Sequence, residues 1–203
     1  MLSAGVLLKM RIFGIKTEFS PHLLIFIAAS AFIIPWRWLI AIFTAAAVHE
    51  IGHLLVLRIS KVSVDRLFLS LSGARIIVEP LTLRQEFLCA CAGPGAGILL
   101  LGLGRFYPEL AICAFVQSIY NLIPLMPLDG GRILRCAAEA LLPPNLCEKI
   151  IHGIEMTVFC GILFLAVICL WDKLVLASCV AMAVLLLGVM RKITCKGEFS
   201  AVQ

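Results

Sequence analysis

The stretch AAAVHEIGHLLVL, residues 45–57, places His49, Glu50 and His53 in an otherwise apolar segment. A charged group at the centre of a membrane helix costs about 2.5 to 3.5 kcal/mol on insertion scales, so these polar residues need a compensating role. In a helix, His49 and His53 lie one turn apart on the same face, and Glu50 lies about 60° round from His53. Two neutral imidazoles can bind a zinc ion that lowers the pKa of a water molecule, and a carboxylate can take the proton. The pattern predicts a hydrolytic zinc site within a membrane helix.

Two other interpretations of the same motif stay open on this evidence. The polar residues could be hydrogen-bonded to neighbouring helices, or they could form a proton relay in a transporter. A catalytic zinc site needs a third protein ligand, and Asp129 in YNLIPLMPLDGGRIL, residues 120–134, is the candidate. Pro124 and Pro127 predict an unwound stretch before it, which is tolerated at membrane depth only against protein or a wet cavity.

The composition predicts that a bilayer surrounds most of the chain. Of 203 residues, 62% are hydrophobic and 14% are charged, and the mean hydropathy is +1.09, whereas soluble domains are about 45 to 50% apolar. These values exclude a soluble or disordered chain. The net charge is +5, but no basic patch with interleaved aromatic residues is present, so we expect no nucleic-acid partner. The nine cysteines lack paired CxxC spacings and are interpreted as helix-packing residues.

Apolar runs near the roughly 20-residue length that crosses a bilayer predict six transmembrane helices. With six spans, one side of the membrane carries 14 of the 17 Lys and Arg residues, as the positive-inside rule requires when both termini are cytoplasmic. We therefore expect a multi-pass protein of the cell membrane with both termini in the cytoplasm. The predicted spans cover residues 22–35, 38–57, 87–104, 110–127, 156–171 and 174–190.

Two connections between the predicted spans bear on the fold. Residues 62–80 alternate around Ser72 and Gly73, which predicts a β-hairpin that either links helices or offers an edge to an extended peptide. The stretch 128–155 is expected to be a cytoplasmic loop with Glu139, Glu148 and Glu155 on solvated faces. The predicted fold class is an all-α integral membrane protein, with six transmembrane helices and a short β-hairpin between spans two and three. A single membrane-embedded domain is expected over residues 1–203.

The pairing of two motifs is highly specific. HEIGH on one predicted span and N-x-x-P-x-x-P-L-D-G-G, residues 121–131, on another resemble the site-2 protease family of intramembrane zinc metalloproteases. The resemblance covers roughly residues 10–140 and includes the element Ala92-Gly93-Pro94 in span three. The asparagine that usually follows is replaced by residues 95–97, Gly-Ala-Gly, which puts a polar role for that helix in doubt.

The resemblance implies a catalytic core of three helices within about residues 36–135. It implies one zinc ion held by His49, His53 and Asp129. It also implies that Glu50 is the catalytic base and that Asn121 helps to hold the substrate or the oxyanion of the reaction.

Within the family, six spans, no inserted PDZ domain and a short strand-like stretch before span one are most similar to the sporulation group, typified by stage IV sporulation protein FB. That relative carries a CBS domain after its last span, but only about a dozen residues follow Met190 here, so no CBS domain is expected. The resemblance implies a membrane-associated or tethered protein substrate. The subgroup implies a sporulation sigma-factor precursor, with a membrane-bound anti-sigma factor or a signal-peptide remnant as the runner-up.

Further partners expected are the lipid bilayer and a membrane inhibitor or regulatory protein. The competing hypothesis is a non-catalytic metal-binding transporter or scaffold. Glu50 favours the enzyme, because a carrier needs ligands but has no evident use for a carboxylate between two histidines.

Overall fold

The computed structural model describes residues 8–12, 15–70 and 73–171. The chain divides into two compact units, residues 1–120 and 121–203, and each is described by itself. The predicted single domain, without PDZ or CBS domains, stays a prediction. Over the described residues the helices are α1 (Pro21–Ile33), α2 (Trp36–Ile59), α3 (Leu83–Leu99), α4 (Pro108–Asn121), α5 (Asp129–Leu141) and α6 (Pro144–Trp171).

Two helical stretches are long and apolar enough to cross a membrane. They are α2, with 24 residues, and α3 together with the 3₁₀ turn Leu100–Leu103 that continues it, with 21 residues. Only 28% of the most apolar 18-residue window in each is buried within the protein. An apolar helix in a soluble core would be mostly buried, so these open apolar faces are suited to lipid and indicate a membrane protein.

The remaining predicted spans agree less closely with the helices. α1 is a shorter apolar helix of 13 residues. α4 ends at Asn121, six residues before the predicted end at 127, because Pro124 and Pro127 cannot donate the backbone hydrogen bonds that would continue it. The fifth predicted span falls within α6, and the sixth, 174–190, lies outside the described residues. The six-span topology and the cytoplasmic termini therefore stay predictions.

The predicted hairpin is confirmed, but it is half of a larger sheet. β3 (Val64–Ser70) and β4 (Gly73–Val78) pair antiparallel. β3 also pairs in parallel with β2 (Ile15–Phe19), and β2 pairs antiparallel with β1 (Leu8–Ile12). The strand order is β1-β2-β3-β4, which leaves β1 and β4 as the edge strands of the described sheet.

The expected fold class is therefore confirmed in part: the described residues are mainly helical, but the hairpin belongs to a four-stranded sheet. In β2, the side chain of Thr17 is completely buried, and Thr17 lies opposite the buried Leu67 of β3. In β2, the charged residues Lys16 and Glu18 flank this inward-facing side chain. Such alternation is invisible to a search for long apolar runs.

The expectation of a loop over 128–155 is also wrong, because α5 and the first part of α6 fill this stretch. α5 is strongly amphipathic, and its buried residues include Cys136 and Ala138. Its polar face carries an ion pair between Arg135 and Glu139, with 2.9 Å between Nε and Oε1. A helix that is charged on one face has too low an average hydropathy to be found as a membrane span.

Candidate metal centre

α2 carries two buried imidazoles on one face. His49 is 3% exposed and His53 is 5% exposed. Their Nε2 atoms lie 3.2 Å apart, and the rings meet edge to face. In a tetrahedral zinc site with Zn–N bonds of about 2.0 to 2.1 Å, two ligand nitrogens lie about 3.3 Å apart. The two imidazoles are thus already spaced as a pair of zinc ligands.

The orientation of His53 is set by α3. His53 Nδ1 lies 2.8 Å from the backbone carbonyl oxygen of Cys89. A carbonyl oxygen can only accept a hydrogen bond, so Nδ1 carries the proton and donates it. The lone pair of the neutral ring is then on Nε2, the atom that faces His49, which is the arrangement typical of histidines that bind metal.

Glycines allow α3 to approach the two histidines closely. A Cβ on Gly93 would lie against Nε2 and Cε1 of His53 and within 2.8 Å of Cε1 of His49. On the other helix, a Cβ on Gly52 would lie 2.6 Å from the carbonyl oxygen of Ala92. Gly52 therefore lets α2 and α3 approach closely. Gly93 leaves open the space in front of the imidazoles.

The contact between α3 and α4 uses one further polar residue. Ser118 is buried, and its hydroxyl donates a hydrogen bond of 3.3 Å to the carbonyl oxygen of Pro94. A Cβ on Gly97 would collide with the Ser118 Oγ. Asn121 follows one turn later as the last residue of α4 and is half-buried. Its role toward a substrate or an oxyanion stays a prediction.

In the second unit, the stretch between α4 and α5 is unwound, as the two prolines predict. Its backbone forms local turns, with Leu125 N–H donating to Ile123 O at 2.7 Å and Leu128 N–H donating to Leu125 O at 2.8 Å. The Met126–Pro127 peptide bond is cis. α5 then begins directly at Asp129.

The glycines after Asp129 are required by their surroundings. A Cβ on Gly131 would lie 2.5 Å from the carbonyl carbon of Leu125 and 2.6 Å from the amide nitrogen of Met126. A Cβ on Gly130 would collide with the carbonyl oxygen of Leu122. The first turn of α5 therefore packs directly on the backbone of the unwound stretch.

Asp129 is the buried acidic residue at this helix start. It is 6% exposed, and its Oδ1 lies 3.7 Å from a guanidinium nitrogen of Arg132. His49, His53 and Asp129 each offer one atom that can bind a metal ion. Two imidazole nitrogens and a carboxylate oxygen are a donor set that zinc accepts. These three candidate ligands, called the donor cluster below, are consistent with one zinc ion.

Glu50 is separate from this donor set. It follows His49 on α2 and is half-buried. Among the residues that the structure describes, the cluster of candidate ligands consists of His49, His53 and Asp129. The role of Glu50 as the catalytic base stays a prediction.

Three features of these units escaped the sequence interpretation. The carbonyl of Cys89 has no side-chain signature, so no pattern could have revealed it. The space at Gly93 could have been inferred, because Gly93 and Gly97 form a pair of small residues four apart, which is typical of close helix packing.

The expected exposure of three glutamates is confirmed for two of them. Glu155 is buried, so its interpretation as solvated is wrong. Glu148 and Glu139 are exposed, as expected.

Two curated proteins match part of the sequence. The chain is 31% identical over 110 residues to a zinc metalloprotease of Methanocaldococcus jannaschii, a match that covers 47% of this chain and 32% of that protein. It is 34% identical over 110 residues to a second curated protein, from Synechocystis, covering 46% of this chain and 29% of the relative. The chain thus spans about a third of the length of the curated relatives that it matches. No established family profile matches it.

The fold has a solved counterpart. A site-2 protease from Methanocaldococcus jannaschii superimposes with a TM-score of 0.64 and 23% sequence identity, covering 91% of this chain and 94% of that one. The chain therefore has the fold of a site-2 protease. Together with the sequence matches, this supports the resemblance to zinc metalloproteases of that family. The assignment to the sporulation group stays a prediction.

Proposed function

We propose that this protein is an intramembrane zinc endopeptidase that hydrolyses a peptide bond in a membrane-associated or tethered protein. The observation that carries the proposal is the 3.2 Å separation of the His49 and His53 Nε2 atoms on an apolar helix. Asp129, a buried carboxylate at the start of α5, is proposed as the third protein ligand. The sequence matches to a zinc metalloprotease support the same chemistry.

The proposed ligands and base divide the work of hydrolysis between them. A zinc ion held there supplies a Lewis acid that polarises a carbonyl and makes water acidic enough to attack at neutral pH. The Glu50 carboxylate accepts the proton that the attacking water loses. The Asn121 amide donates hydrogen bonds to the substrate or to the oxyanion that forms at its carbonyl. Water reaches these groups from the cytoplasmic side, which the charge distribution assigns to the ends of spans two and four.

A metal-carrying transporter or scaffold is the alternative function. It would use the same three ligands, but it gives Glu50 no task. The hydrogen bond from His53 to the Cys89 carbonyl holds one ligand in a fixed orientation. Fixed ligands suit a resident catalytic ion better than an ion in transit, and this favours the enzyme.

The edge strand β4 is proposed to hold the substrate extended. A peptide bond inside a helix is hydrogen-bonded and shielded, so it must be straightened before it is cut. β3 is paired on both sides, whereas β4 pairs only with β3 in the described sheet. An extended peptide that pairs with the open side of β4 would gain backbone hydrogen bonds and lose its helical ones.

The finer assignment concerns the substrate. The resemblance to the sporulation group supports a sporulation sigma-factor precursor as the substrate, with an anti-sigma factor or a signal-peptide remnant as the runner-up. A membrane inhibitor or regulatory protein is proposed as a further partner. The protein is proposed to lie in the cell membrane with both termini in the cytoplasm, because 14 of its 17 Lys and Arg residues then face inward.

Co-expression tests the proposed activity. Wild-type protein and the Glu50→Gln variant are each produced with candidate membrane-tethered substrates, and cleavage is followed by gel shift. Cleavage by the wild type alone supports the peptidase. Equal cleavage by both proteins would overturn the proposed mechanism.

A further inference from the structure

A buried carboxylate in α6 has no role in the proposed zinc chemistry. Glu155 is 8% exposed, and its Oε1 accepts a hydrogen bond of 3.0 Å from the backbone N–H of Met126. It lies on the packed face of the helix, since Cys147, two turns earlier, is also buried. Burial of a carboxylate costs free energy unless hydrogen bonds compensate. The hydrogen bond from Met126 offsets part of that cost.

The hydrogen bond from Met126 anchors the unwound stretch between Asn121 and Asp129. The backbone of this stretch no longer makes the hydrogen bonds of a helix, and its two prolines have no N–H group. The Met126 amide lies between those prolines, at Pro124 and Pro127. Glu155 therefore supplies, from another helix, an acceptor that the unwound backbone lacks.

The same peptide group is packed from a second direction. Gly131 approaches the Leu125–Met126 peptide so closely that a Cβ there would lie 2.6 Å from the Met126 nitrogen. Gly131 lies two residues after Asp129 in the first turn of α5. A single peptide unit thus connects the Glu155 carboxylate to the helix start that carries Asp129.

We propose that Glu155 is a positioning residue, which holds the Leu125–Met126 peptide against Gly131 and so fixes the direction of the Asp129 carboxylate. This inference rests on the proposed function, in which Asp129 binds zinc. Residues that orient metal ligands commonly change metal affinity or activity by about 10- to 100-fold when they are removed. Glu155 acts here through the backbone, without touching the substrate.

Two conservative variants separate the effect of the length of the Glu155 side chain from the effect of its charge. Glu155→Gln keeps an acceptor oxygen at the same distance from the backbone but removes the charge. Glu155→Asp keeps the charge but withdraws the oxygens by one methylene group. If acceptance of the Met126 N–H is what matters, Glu155→Gln should stay within about threefold of wild type, and Glu155→Asp should lose about 10- to 100-fold in kcat with KM nearly unchanged. Glu155→Leu should lose at least as much as Glu155→Asp.

The experiment measures zinc affinity, the absorption spectrum of the cobalt-substituted protein, kcat and KM in detergent, with thermal unfolding as the check on folding. Glu148→Leu is the matched control, because Glu148 is an exposed residue of the same helix; it should behave as wild type. A folded Glu155→Asp variant should show an altered cobalt spectrum, which a purely structural role would leave unchanged. Should Glu155→Leu fail to fold, the comparison of the Gln and Asp variants still decides.

The outcomes distinguish this inference from the proposed function. Wild-type protein that binds zinc and cleaves, with Glu155→Asp equal to or better than Glu155→Gln, would overturn the role of Glu155 alone. Wild-type protein that binds no zinc would overturn the proposed function, and the inference would fall with it. Zinc binding without cleavage would count against the peptidase function. The cobalt spectra of the Glu155 variants would still test whether Glu155 positions Asp129.

Discussion

His53 Nδ1 donates a hydrogen bond of 2.8 Å to the backbone carbonyl of Cys89. The acceptor belongs to the main chain of α3, so substitution of the Cys89 side chain would leave it in place. The bond fixes both the tautomer and the rotation of the ring, and it directs Nε2 toward His49. α3 therefore contributes to the proposed zinc site through its backbone and its shape.

The first prediction concerns the shape of α3. Gly93→Ala should lower zinc affinity by about 10- to 100-fold, because the new methyl group would occupy space used by the imidazoles of His49 and His53. Gly95→Ala is the matched control, since a Cβ at that position meets nothing within 4 Å. Isothermal titration with zinc measures both variants. If Gly93→Ala and Gly95→Ala bind zinc equally well, α3 moves to make room for the methyl group, and its shape at Gly93 does not determine zinc affinity.

The second prediction concerns the ligands. Elemental analysis of detergent-purified protein should give one zinc ion per chain, and His53→Ala and Asp129→Ala should each lower that stoichiometry. Removal of one of three protein ligands leaves a site that binds zinc weakly. Normal zinc content in Asp129→Ala would remove this residue from the proposed ligand set.

The three candidate metal ligands could be predicted because each carries a strong local signal. His49 and His53 are polar residues one turn apart in an apolar segment, and Asp129 follows two prolines that end a helix. α2, α3 and the hairpin likewise follow from runs of apolar residues and from alternation around a turn.

The features that were missed depend on partners distant in sequence. The strand-like stretch before span one forms β1 and β2 only through pairing: β2 pairs with β3, 50 residues later in the chain, and β1 pairs with β2. Glu155 has no local sequence signal that marks it as buried. Its burial depends on the packing of α6 and on the hydrogen bond from the Met126 amide. Local patterns carry no information on either contact, and this is the physical limit of prediction from one sequence.

The third prediction separates metal binding from catalysis. Glu50→Gln should retain zinc, since Glu50 lies outside the described donor cluster. It should lose cleavage by about 10² to 10⁴, the contribution of a general base. Zinc analysis and a cleavage assay on the same preparation measure both quantities. Loss of zinc in this variant would show that Glu50 is itself a ligand.

The fourth prediction concerns the edge strand. Ile76→Pro and Val78→Pro each remove a backbone N–H donor from β4. Where the lost donor faces the open edge of the sheet, the variant should bind extended substrate less well and cleave it more slowly. Zinc content should stay normal in both variants, because neither residue belongs to the donor cluster. Helix-breaking residues near the cleavage site of the substrate should have the opposite effect and speed cleavage, since they lower the cost of straightening it.

Lys9→Pro provides the control on the other edge strand, β1. It removes a donor from the same sheet and should leave the cleavage rate close to that of the wild type if β4 is the docking edge. Cleavage of a tethered substrate by each variant, followed over time, gives the comparison. If both β4 variants cleave the substrate at the wild-type rate, the hairpin serves only to connect α2 and α3. The unwound stretch between Asn121 and Asp129 would then be the better candidate for pairing with substrate.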